Sequence, residues 1–387
     1  MLTERLVRAF VRTPEKSDDP QVRKAFGVLE GWTSVAVNLV LFAVKVVPGV
    51  AIGSVALIAD AFHSLGDVLS SAVVIWGFRA AARPSDPEHP FGHGRLESVT
   101  SLVVSLMLFL TAWEFGRASI GRLREPREVE ASTLLIVVLV ATMAVKEWLS
   151  RFSLTLGKRI GSAALIGDFW HHRSDVLATG VVVAALLGAR FGWWWVDGVG
   201  GLIVSAIIAW AGYQLWRDSV DPLIGEAPSP GVLQEMREIA QSIPGVDDVH
   251  DLIVHRYGSL VVTSVHVEVS SSLDIEAGHE VAEAVEQRLN ERFAGWAVVH
   301  VDPVNRSHPM YAEVQAFLAE ALPKIPGVAG FHDLRIVGSE ARPFAVFDLQ
   351  TEGGDPEAVA AAVREAVSER FPSLLKVGIN LEPRYVY

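Results

Sequence analysis

Residues 60–67 read Asp-Ala-Phe-His-Ser-Leu-Gly-Asp, and residues 168–175 read Asp-Phe-Trp-His-His-Arg-Ser-Asp. Both stretches carry the pattern Asp-x-x-His-x-x-x-Asp, and each lies inside a long apolar segment. On an α-helix, offsets of zero, three and seven residues fall on one face. Each stretch is therefore expected to form a polar stripe on an apolar helix, where ionisable groups mark the path of a substrate or a proton.

The composition of the chain is that of a membrane protein. Half of its 387 residues are hydrophobic, and the mean hydropathy is +0.33. A helix needs about 20 apolar residues to cross a bilayer, and six segments satisfy this requirement. They are expected near residues 32–51, 55–82, 97–117, 132–150, 162–188 and 193–217. The second and fifth of these spans carry the stripes.

The charge is divided unevenly along the chain. Residues 1–220 hold 21 of the 33 Lys and Arg residues but only 19 of the 45 Asp and Glu residues, so the acidic part is residues 221–387. A nucleic-acid partner is not expected, because phosphate binding needs a basic face. An acidic region suits cations, although a solvated acidic surface explains it equally well. The chain has no cysteine, so any bound metal must use His, Asp or Glu.

Basic residues before the first span predict the orientation of the protein. The N-terminal segment is basic and lacks the cleavage pattern of a signal peptide, so the positive-inside rule places it in the cytoplasm. The loops between spans 2 and 3 and between spans 4 and 5 are also flanked by basic residues, which agrees with a cytoplasmic location. The loop between spans 3 and 4 carries basic residues as well, although this orientation places it outside the cytoplasm. We therefore expect a multi-pass protein of the cell (inner or plasma) membrane, with both termini cytoplasmic.

An internal repeat fills the acidic region. Residues 243–252 read IPGVDDVHDL, and residues 325–334 read IPGVAGFHDL. Each copy reads helix, strand, strand, helix, strand, which predicts an α+β module with helices on one side of a small sheet. The expected domains are an N-terminal segment (1–30), a membrane domain of six helices (31–220) and two α+β copies (221–306 and 307–387).

The two stripes together offer four ligands for a divalent metal ion. These are His63, Asp67, His171 and Asp175. Two nitrogen and two oxygen donors can close the tetrahedron that zinc prefers, although hydrogen bonds between helices would also explain such residues. Asp60 and Asp168 lie one turn earlier. They are interpreted as groups that orient the ligands, as a proton relay or as helix-packing hydrogen bonds.

A second candidate site lies in the loop between spans 2 and 3. Asp86, His89 and His93 are close in sequence there, and Gly92 and Gly94 permit tight backbone turns. An imidazole pair with a carboxylate suits an exposed metal ion. The alternative is a solvated connector.

Histidines are also concentrated in the first copy of the repeat. The residues in question are His250, His255, His266, His279, His300 and Asp302. The second copy keeps His332 but has Asp348, Glu357 and Asn380 where the first has other histidines. If these histidines served only the fold, both copies would be expected to keep them. The histidines of the first copy are therefore predicted to be metal ligands. The second copy is interpreted as a degenerate one that serves packing or dimer contact.

Taken together, these residues resemble the cation diffusion facilitator family, most closely its bacterial zinc/iron efflux branch. The resemblance covers about residues 25–305 and depends on residues 53–67 (GSVALIADAFHSLGD), 89–97 (HPFGHGRLE) and 168–175 (DFWHHRSD). It implies a homodimeric, proton-coupled antiporter with six transmembrane helices and a cytoplasmic ferredoxin-like domain. The second copy of the α+β module is not part of the usual pattern of the family.

The resemblance also assigns roles to individual residues. It implies a transport site at His63, Asp67, His171 and Asp175, and a loop site at Asp86, His89 and His93. It implies a binuclear cytoplasmic site at His250, His266, His279, His300 and Asp302. Arg95 and Asp221 match an ion pair at the dimer centre. Many bacterial members have Asp where His63 stands, and the His form is similar to the zinc-favouring branches.

The expected function is therefore export of a divalent cation, with Zn²⁺ as both substrate and regulator. Its partners would be a second copy of the chain, membrane lipid, and protons as the counter-substrate. Alternatives are the same transporter selective for Fe²⁺, Mn²⁺ or Co²⁺, and a metal sensor or scaffold that transports poorly. An intramembrane aspartyl protease is a further alternative, but an imidazole beside each carboxylate suits a metal better than an acid dyad. No enzymatic activity is expected.

Overall fold

The chain forms two compact units. The structure, a computed structural model, describes residues 2–15, 17, 19–51, 55–125, 133–189, 193, 195–339 and 342–383. The first unit contains Met1–Glu226 together with Arg256–Leu260. The second unit contains Ala227–His255 and Val261–Tyr387.

The first unit is built mainly from helices. They are α1 (Leu2–Phe10), α2 (Pro20–Ala51), α3 (Val55–Ala81), α4 (Leu96–Arg124), α5 (Thr133–Ile160), α6 (Ala163–Ala189) and α7 (Trp195–Ile224). Each of the six predicted spans corresponds to one of the helices α2 to α7. The helix α2 begins inside the segment that was predicted to precede the membrane domain, and α7 continues past residue 220.

Four of these helices are long and apolar enough to cross a membrane. Within the described residues they are Pro20–Val47, Ala61–Ala81, Leu96–Arg124 and Trp195–Ile224. The helices α5 and α6 are not among these four, and they carry charged residues such as Lys146, Asp168 and Asp175. The protein is therefore a multi-pass membrane protein, whereas the count of six spans remains a prediction.

The outer surface of the helices supports this assignment. Large apolar side chains are exposed along α4, including Leu110 and Trp113, and along α7, including Ile203 and Trp210. Such an extended apolar surface is unusual in a soluble monomer. The interior is also apolar, and Phe26, Phe78 and Phe152 are among its fully buried side chains.

Small residues allow the helices to approach each other closely, and Gly77 of α3 gives a testable case. A Cβ atom at Gly77 would lie 2.0 Å from Oγ1 of Thr100 on α4. We therefore expect Gly77→Ala to lower the thermal unfolding midpoint, since overpacking costs about 1–3 kcal/mol. At Gly66 of the same helix, a Cβ atom would meet nothing within 4 Å, so Gly66→Ala is the matched control.

The control should not be destabilised, because alanine is a better helix former than glycine by about 1 kcal/mol. Thermal unfolding of the detergent-solubilised protein checks both variants. Equal midpoints for Gly77→Ala and Gly66→Ala would contradict the close approach of α3 and α4.

The second unit contains the two copies of the repeat, except for Arg256–Leu260, which belongs to the first unit. The first copy consists of α8 (Pro230–Gln241), β1 (Asp248–Tyr257), β2 (Leu260–Ser270), α9 (Ile275–Arg292) and β3 (Gly295–Val304). The second consists of α10 (Tyr311–Ala321), β4 (Val328–Ser339), β5 (Arg342–Thr351), α11 (Pro356–Arg370) and β6 (Val377–Pro383). The predicted order of helix, strand, strand, helix, strand is confirmed in both copies.

Each copy builds its own three-stranded sheet, in the strand order β1-β2-β3 or β4-β5-β6. The last two strands of each sheet are parallel, because a helix connects them. Aspartates cap these connecting helices in the same way. Asp274 accepts a hydrogen bond from the amide of Ala277, and Asp355 accepts one from Glu357. A full ferredoxin-like βαββαβ fold has a fourth strand, which the described residues of either copy do not form.

Candidate metal centres

The helices α3 and α6 bring the predicted ligands of the two stripes together. We name this group the helix cluster. It consists of His63, Asp67, His171 and Asp175. Nε2 of His63 lies 3.3 Å from Oδ1 of Asp175. Nε2 of His171 lies 3.3 Å from Oδ1 of Asp67. Each imidazole thus meets the carboxylate of the other helix, so the two stripes face each other.

The helix cluster is closed on one side and open on the other. Asp67 and His171 are buried, whereas the His63 side chain is 58% exposed. Ser70, one turn after Asp67, forms a hydrogen bond of 3.2 Å with Nε2 of His171. A cation would therefore reach the cluster from the side of His63.

Lys146 of α5 was not predicted as part of any site, yet it lies against the helix cluster. Its Nζ atom is 2.6 Å from Oδ2 of Asp67 and 2.8 Å from Oδ2 of Asp175. The lysine side chain is only 6% exposed. A signal for it existed in the sequence, because a lysine inside an apolar span must find a counter-charge.

A second buried polar group lies between α2 and α6. Glu30, Asp168 and His172 are all fully buried. Nε2 of His172 lies 3.3 Å from Oδ2 of Asp168 and forms a hydrogen bond of 3.1 Å with Oγ of Ser34. Asp168 thus pairs with His172, the residue next to the predicted ligand His171. A role of Asp168 in orienting the ligands remains a prediction. The side chain of Asp60, predicted for the same role, lies outside the described residues.

The loop between α3 and α4 brings its three predicted ligands together as well. Nδ1 of His89 lies 3.2 Å from Oδ1 of Asp86, and Nε2 of His93 lies 3.4 Å from Oδ2 of the same carboxylate. Nδ1 of His93 is 3.2 Å from the carbonyl oxygen of Pro84 and donates to it. This hydrogen bond leaves Nε2 of the neutral ring with a lone pair directed to the cluster, an orientation typical of metal-binding histidines.

The electrostatics of the loop agree with an exposed carboxylate held in its ionised form. Although desolvation opposes it, the amide and imidazole groups of His89 hold the pKa of Asp86 below its ordinary value. Gly92 has a φ of 77°, which L-residues rarely adopt, so the turn between the two histidines depends on this glycine.

The predicted ion pair between Arg95 and Asp221 is not formed within the chain. Nε of Arg95 donates to the carbonyl oxygen of Arg256 at 3.3 Å, and its guanidinium lies 4.2 Å from the centre of the Tyr257 ring. Asp221 instead pairs with Arg217, one turn earlier, at 3.5 Å. A pairing of Arg95 with Asp221 across a dimer remains a prediction.

In the second unit, four of the five ligands implied by the family resemblance converge. Nδ1 of His266 lies 2.9 Å from Oδ2 of Asp302, which is also 3.5 Å from Nε2 of His250. Nε2 of His300 lies 3.4 Å from the other oxygen, Oδ1. The parallel register of β2 and β3 explains the convergence, since it aligns His266 with His300.

His279 does not join this group. It lies on α9, its side chain is 69% exposed, and its Nε2 is 3.4 Å from Oε1 of Glu283 one turn later. Nothing in the sequence spacing of His279 fixed the direction in which α9 would point its side chain. His255, also noted in the sequence, is likewise exposed on β1.

The second copy of the repeat contributes residues that the sequence did not predict. Nε2 of His332 lies 3.0 Å from Oδ1 of Asp251, and its ring centre is 5.1 Å from that of His250. We name the combined group the repeat cluster. Its members are His250, Asp251, His266, His300, Asp302 and His332. Arg335 borders the cluster, since its Nη1 atom is 3.8 Å from Oδ1 of Asp302.

The repeated His-Asp-Leu sequence explains why both copies meet at this point. Asp251 and Asp333 occupy equivalent positions and have φ angles of 50° and 49°, a left-handed conformation that Asp tolerates better than most residues. The left-handed conformation of Asp251 interrupts the alternation of buried and exposed side chains along β1. As a result, residues 249–252 are all buried. His250 and Asp251 can therefore both contribute to the cluster, although regular strand geometry would separate them.

The repeat cluster groups donor atoms that could hold a metal ion. His250 is buried, and its Nε2 atom lies 3.5 Å from Oδ2 of Asp302. Against the effect of burial, the imidazoles of His250 and His266 hold the pKa of Asp302 well below its ordinary value. Burial raises the pKa of Asp333 to about 6, although Arg335 opposes the shift.

If the repeat cluster binds zinc, its affinity for the ion should weaken as the pH falls from 8 to 6. The hydrogen bond that Asp302 accepts raises the pKa of His266, so this imidazole keeps its proton to a higher pH than a free one. A protonated ring cannot bind metal. Below that pKa, each displaced proton costs about tenfold in affinity per pH unit. Competition with a chromophoric chelator at pH 8, 7 and 6 measures the effect, and His266→Gln should flatten the dependence. A pH-independent affinity in the unsubstituted protein would contradict it.

Comparisons with known proteins agree with both units. A family model described as the cation efflux transmembrane domain matches residues 31–224. A model described as the cytoplasmic domain of cation efflux proteins matches twice, at residues 228–304 and 311–384. An uncharacterized transporter of Methanocaldococcus jannaschii is 35% identical over 273 residues, which is 70% of this chain and 96% of that protein.

Two further relatives have descriptive names. The metal tolerance protein C1 of Arabidopsis thaliana is 32% identical over 276 residues, covering 67% of this chain and 59% of the plant protein. The cation-efflux pump FieF of Salmonella arizonae is 30% identical over 269 residues, covering 69% of this chain and 90% of the pump.

Proposed function

Because this chain belongs to the cation diffusion facilitator family of divalent cation efflux transporters, we propose that its substrate is Zn²⁺ and that protons drive the export. The observation that carries this proposal is the helix cluster. There, two imidazoles and two carboxylates from separate helices lie within 3.3 Å of each other in crossed pairs. The four donors would bind the ion, and each helix would supply one nitrogen and one oxygen.

The choice of zinc follows from the number and type of these donors. Zinc favours four ligands in a tetrahedron and accepts imidazole and carboxylate together. Fe²⁺, Mn²⁺ and Co²⁺ also bind nitrogen and oxygen donors. Those ions are the alternative substrates, with Mn²⁺ better suited to a site richer in oxygen.

Proton coupling follows from the chemistry of the same ligands. A metal ion binds the deprotonated carboxylate and the neutral imidazole, so loading releases protons and protonation releases the metal. Histidine exchanges protons near neutral pH. When the site faces the cytoplasm it would load Zn²⁺, and when it faces outward it would exchange Zn²⁺ for protons. Rocking of α3 and α6 with their neighbours would alternate the access.

The remaining assignments belong to the same proposal. The protein would lie in the cell membrane with both termini cytoplasmic, as its basic N-terminal segment indicates. It would act as a homodimer, as the family resemblance implies. Zinc in the repeat cluster would act as a regulator that tightens the assembly when cytosolic metal rises. The loop cluster of Asp86, His89 and His93 would be a further, exposed metal site.

Transport into sealed proteoliposomes tests the proposal. At a fixed pH gradient we expect uptake of Zn²⁺ coupled to counter-movement of protons, and preference for Zn²⁺ when Fe²⁺, Mn²⁺ or Co²⁺ competes. Uptake that persists unchanged after the gradient is collapsed would exclude proton coupling. Metal binding without any uptake would instead favour a sensor or scaffold.

A further inference from the structure

The contacts of Lys146 divide the oxygens of the helix cluster into two sets. The Oδ1 atoms of Asp67 and Asp175 are the ones that lie 3.3 Å from imidazole nitrogens. The Oδ2 atoms are the ones that lie 2.6 and 2.8 Å from the ammonium group of Lys146. Each carboxylate therefore directs one oxygen to the imidazoles and gives the other to the lysine.

This arrangement limits how many donors a bound metal can reach. With both Oδ2 atoms engaged by the lysine, each aspartate can offer the metal a single oxygen. The available set is then two nitrogens and two oxygens, which fits the tetrahedral preference of zinc. A free carboxylate can bind through both oxygens, which would allow up to six donors, a number that suits Mn²⁺.

We propose that Lys146 is a positioning residue that determines metal specificity by holding each aspartate to one-oxygen binding. The inference deepens the proposed function, since it concerns the choice of ion at the same transport site. The lysine also adds a fixed positive charge beside the ion. That charge weakens the binding of every divalent cation similarly, so it changes the affinities but not their ratio.

The arrangement of the described residues supports a role beyond packing. An ammonium group at 6% exposure is costly to bury unless opposite charges compensate it. Apolar residues of similar length, such as methionine, would fill the same position on α5 without that cost. The lysine instead lies between the two carboxylates of the helix cluster, where it contacts both Oδ2 atoms and leaves the Oδ1 atoms for a metal.

The test compares Lys146→Met with the matched control Lys146→Arg, which keeps the charge and the hydrogen-bond donors. The parent for all variants is the detergent-solubilised full chain carrying His89→Ala and His250→Ala, which weaken the loop cluster and the repeat cluster. Affinities for Zn²⁺ and Mn²⁺ are measured at one pH by competition with a chelator. Lys146→Met should bind both ions more tightly, and its preference for Zn²⁺ over Mn²⁺ should fall by at least about tenfold. Lys146→Arg should keep the preference within about threefold of the parent.

A merely structural lysine would give a different result. If Lys146→Met keeps the original ratio of Zn²⁺ to Mn²⁺ affinity, the inference is wrong. If this variant does not elute as a folded protein, Lys146→Gln serves instead, and an unchanged ratio there is equally decisive. Unsubstituted protein that transports no divalent metal would overturn the proposed function, whereas normal transport with an unchanged ratio would overturn this inference alone.

Discussion

Proteoliposomes with the Asp175→Asn variant are expected to take up Zn²⁺ at least about 100-fold more slowly than those with the unsubstituted protein. The change removes one of the two anionic ligands proposed for the metal, and the amide that replaces it is a much poorer partner for a divalent cation. It also leaves the Lys146 ammonium with one carboxylate instead of two, so a positive charge competes for the remaining ligand. Uptake followed with an entrapped zinc-sensitive dye, under a fixed pH gradient, measures the rate.

Asp197→Asn is the matched control for this experiment. Asp197 lies at the start of α7, where its Oδ2 is 3.4 Å from Nε of Arg122, in a partly exposed ion pair. Such pairs contribute about 0–1 kcal/mol, so this variant should transport at close to the original rate. Full activity of Asp175→Asn, or equal loss in both variants, would contradict the assignment of the helix cluster.

The second large effect is expected in the repeat cluster, where His250→Ala should weaken zinc binding at least about tenfold. His250 is buried and its Nε2 atom lies 3.5 Å from Oδ2 of Asp302, so the substitution removes one of the nitrogen donors proposed for the metal. The measurement is made in the full chain that also carries Asp175→Asn, which reduces the contribution of the helix cluster. Equilibrium dialysis then gives the affinity and the number of bound ions.

His279→Ala provides the comparison, since it removes the same side chain from an exposed position on α9. If one chain supplies all the ligands of the repeat cluster, His279→Ala should bind zinc as tightly as its parent. A loss of affinity with His279→Ala as large as that with His250→Ala would mean that His279 reaches the metal, for example across a dimer. The geometry of the repeat cluster would then be incomplete as described.

Periodicity predicted the parts of the protein that depend on local sequence. The offsets of three and seven residues placed His63 and Asp67 on one face of α3, because a helix returns to the same face about every 3.6 residues. The strands predicted within each copy of the repeat correspond to β1 to β3 and to β4 to β6. The repeated Ile-Pro-Gly-Val and His-Asp-Leu strings then predicted that the two copies share one order of elements, and they do.

Sequence periodicity does not predict contacts between distant segments of the chain. Lys146 meets Asp67 across 79 positions of the chain, and His332 meets Asp251 across 81. No period links these residues, and each contact depends on how whole elements pack. The second copy was interpreted as degenerate because it has few histidines, yet His332, one of those it retains, contacts the first copy directly.

A fixed cation beside acidic ligands recurs in both units. Lys146 contacts two aspartates of the helix cluster, and Arg335 lies near Asp302 in the repeat cluster while pairing with Asp333 at 2.7 Å. In each case a buried carboxylate is partly compensated by the protein itself, which lowers the cost of keeping it ionised. Metal binding at either cluster would therefore compete with an existing charge interaction.

X-ray absorption at the zinc edge tests the central claim most directly, namely that α3 and α6 together enclose one ion. The sample is the full chain carrying His250→Ala and His89→Ala, loaded with one zinc per chain so that the helix cluster dominates the signal. We predict four nitrogen and oxygen neighbours at about 2.0–2.2 Å, with the outer-shell scattering of two imidazoles. A shell of oxygens without imidazole, or with a single imidazole, would contradict the account.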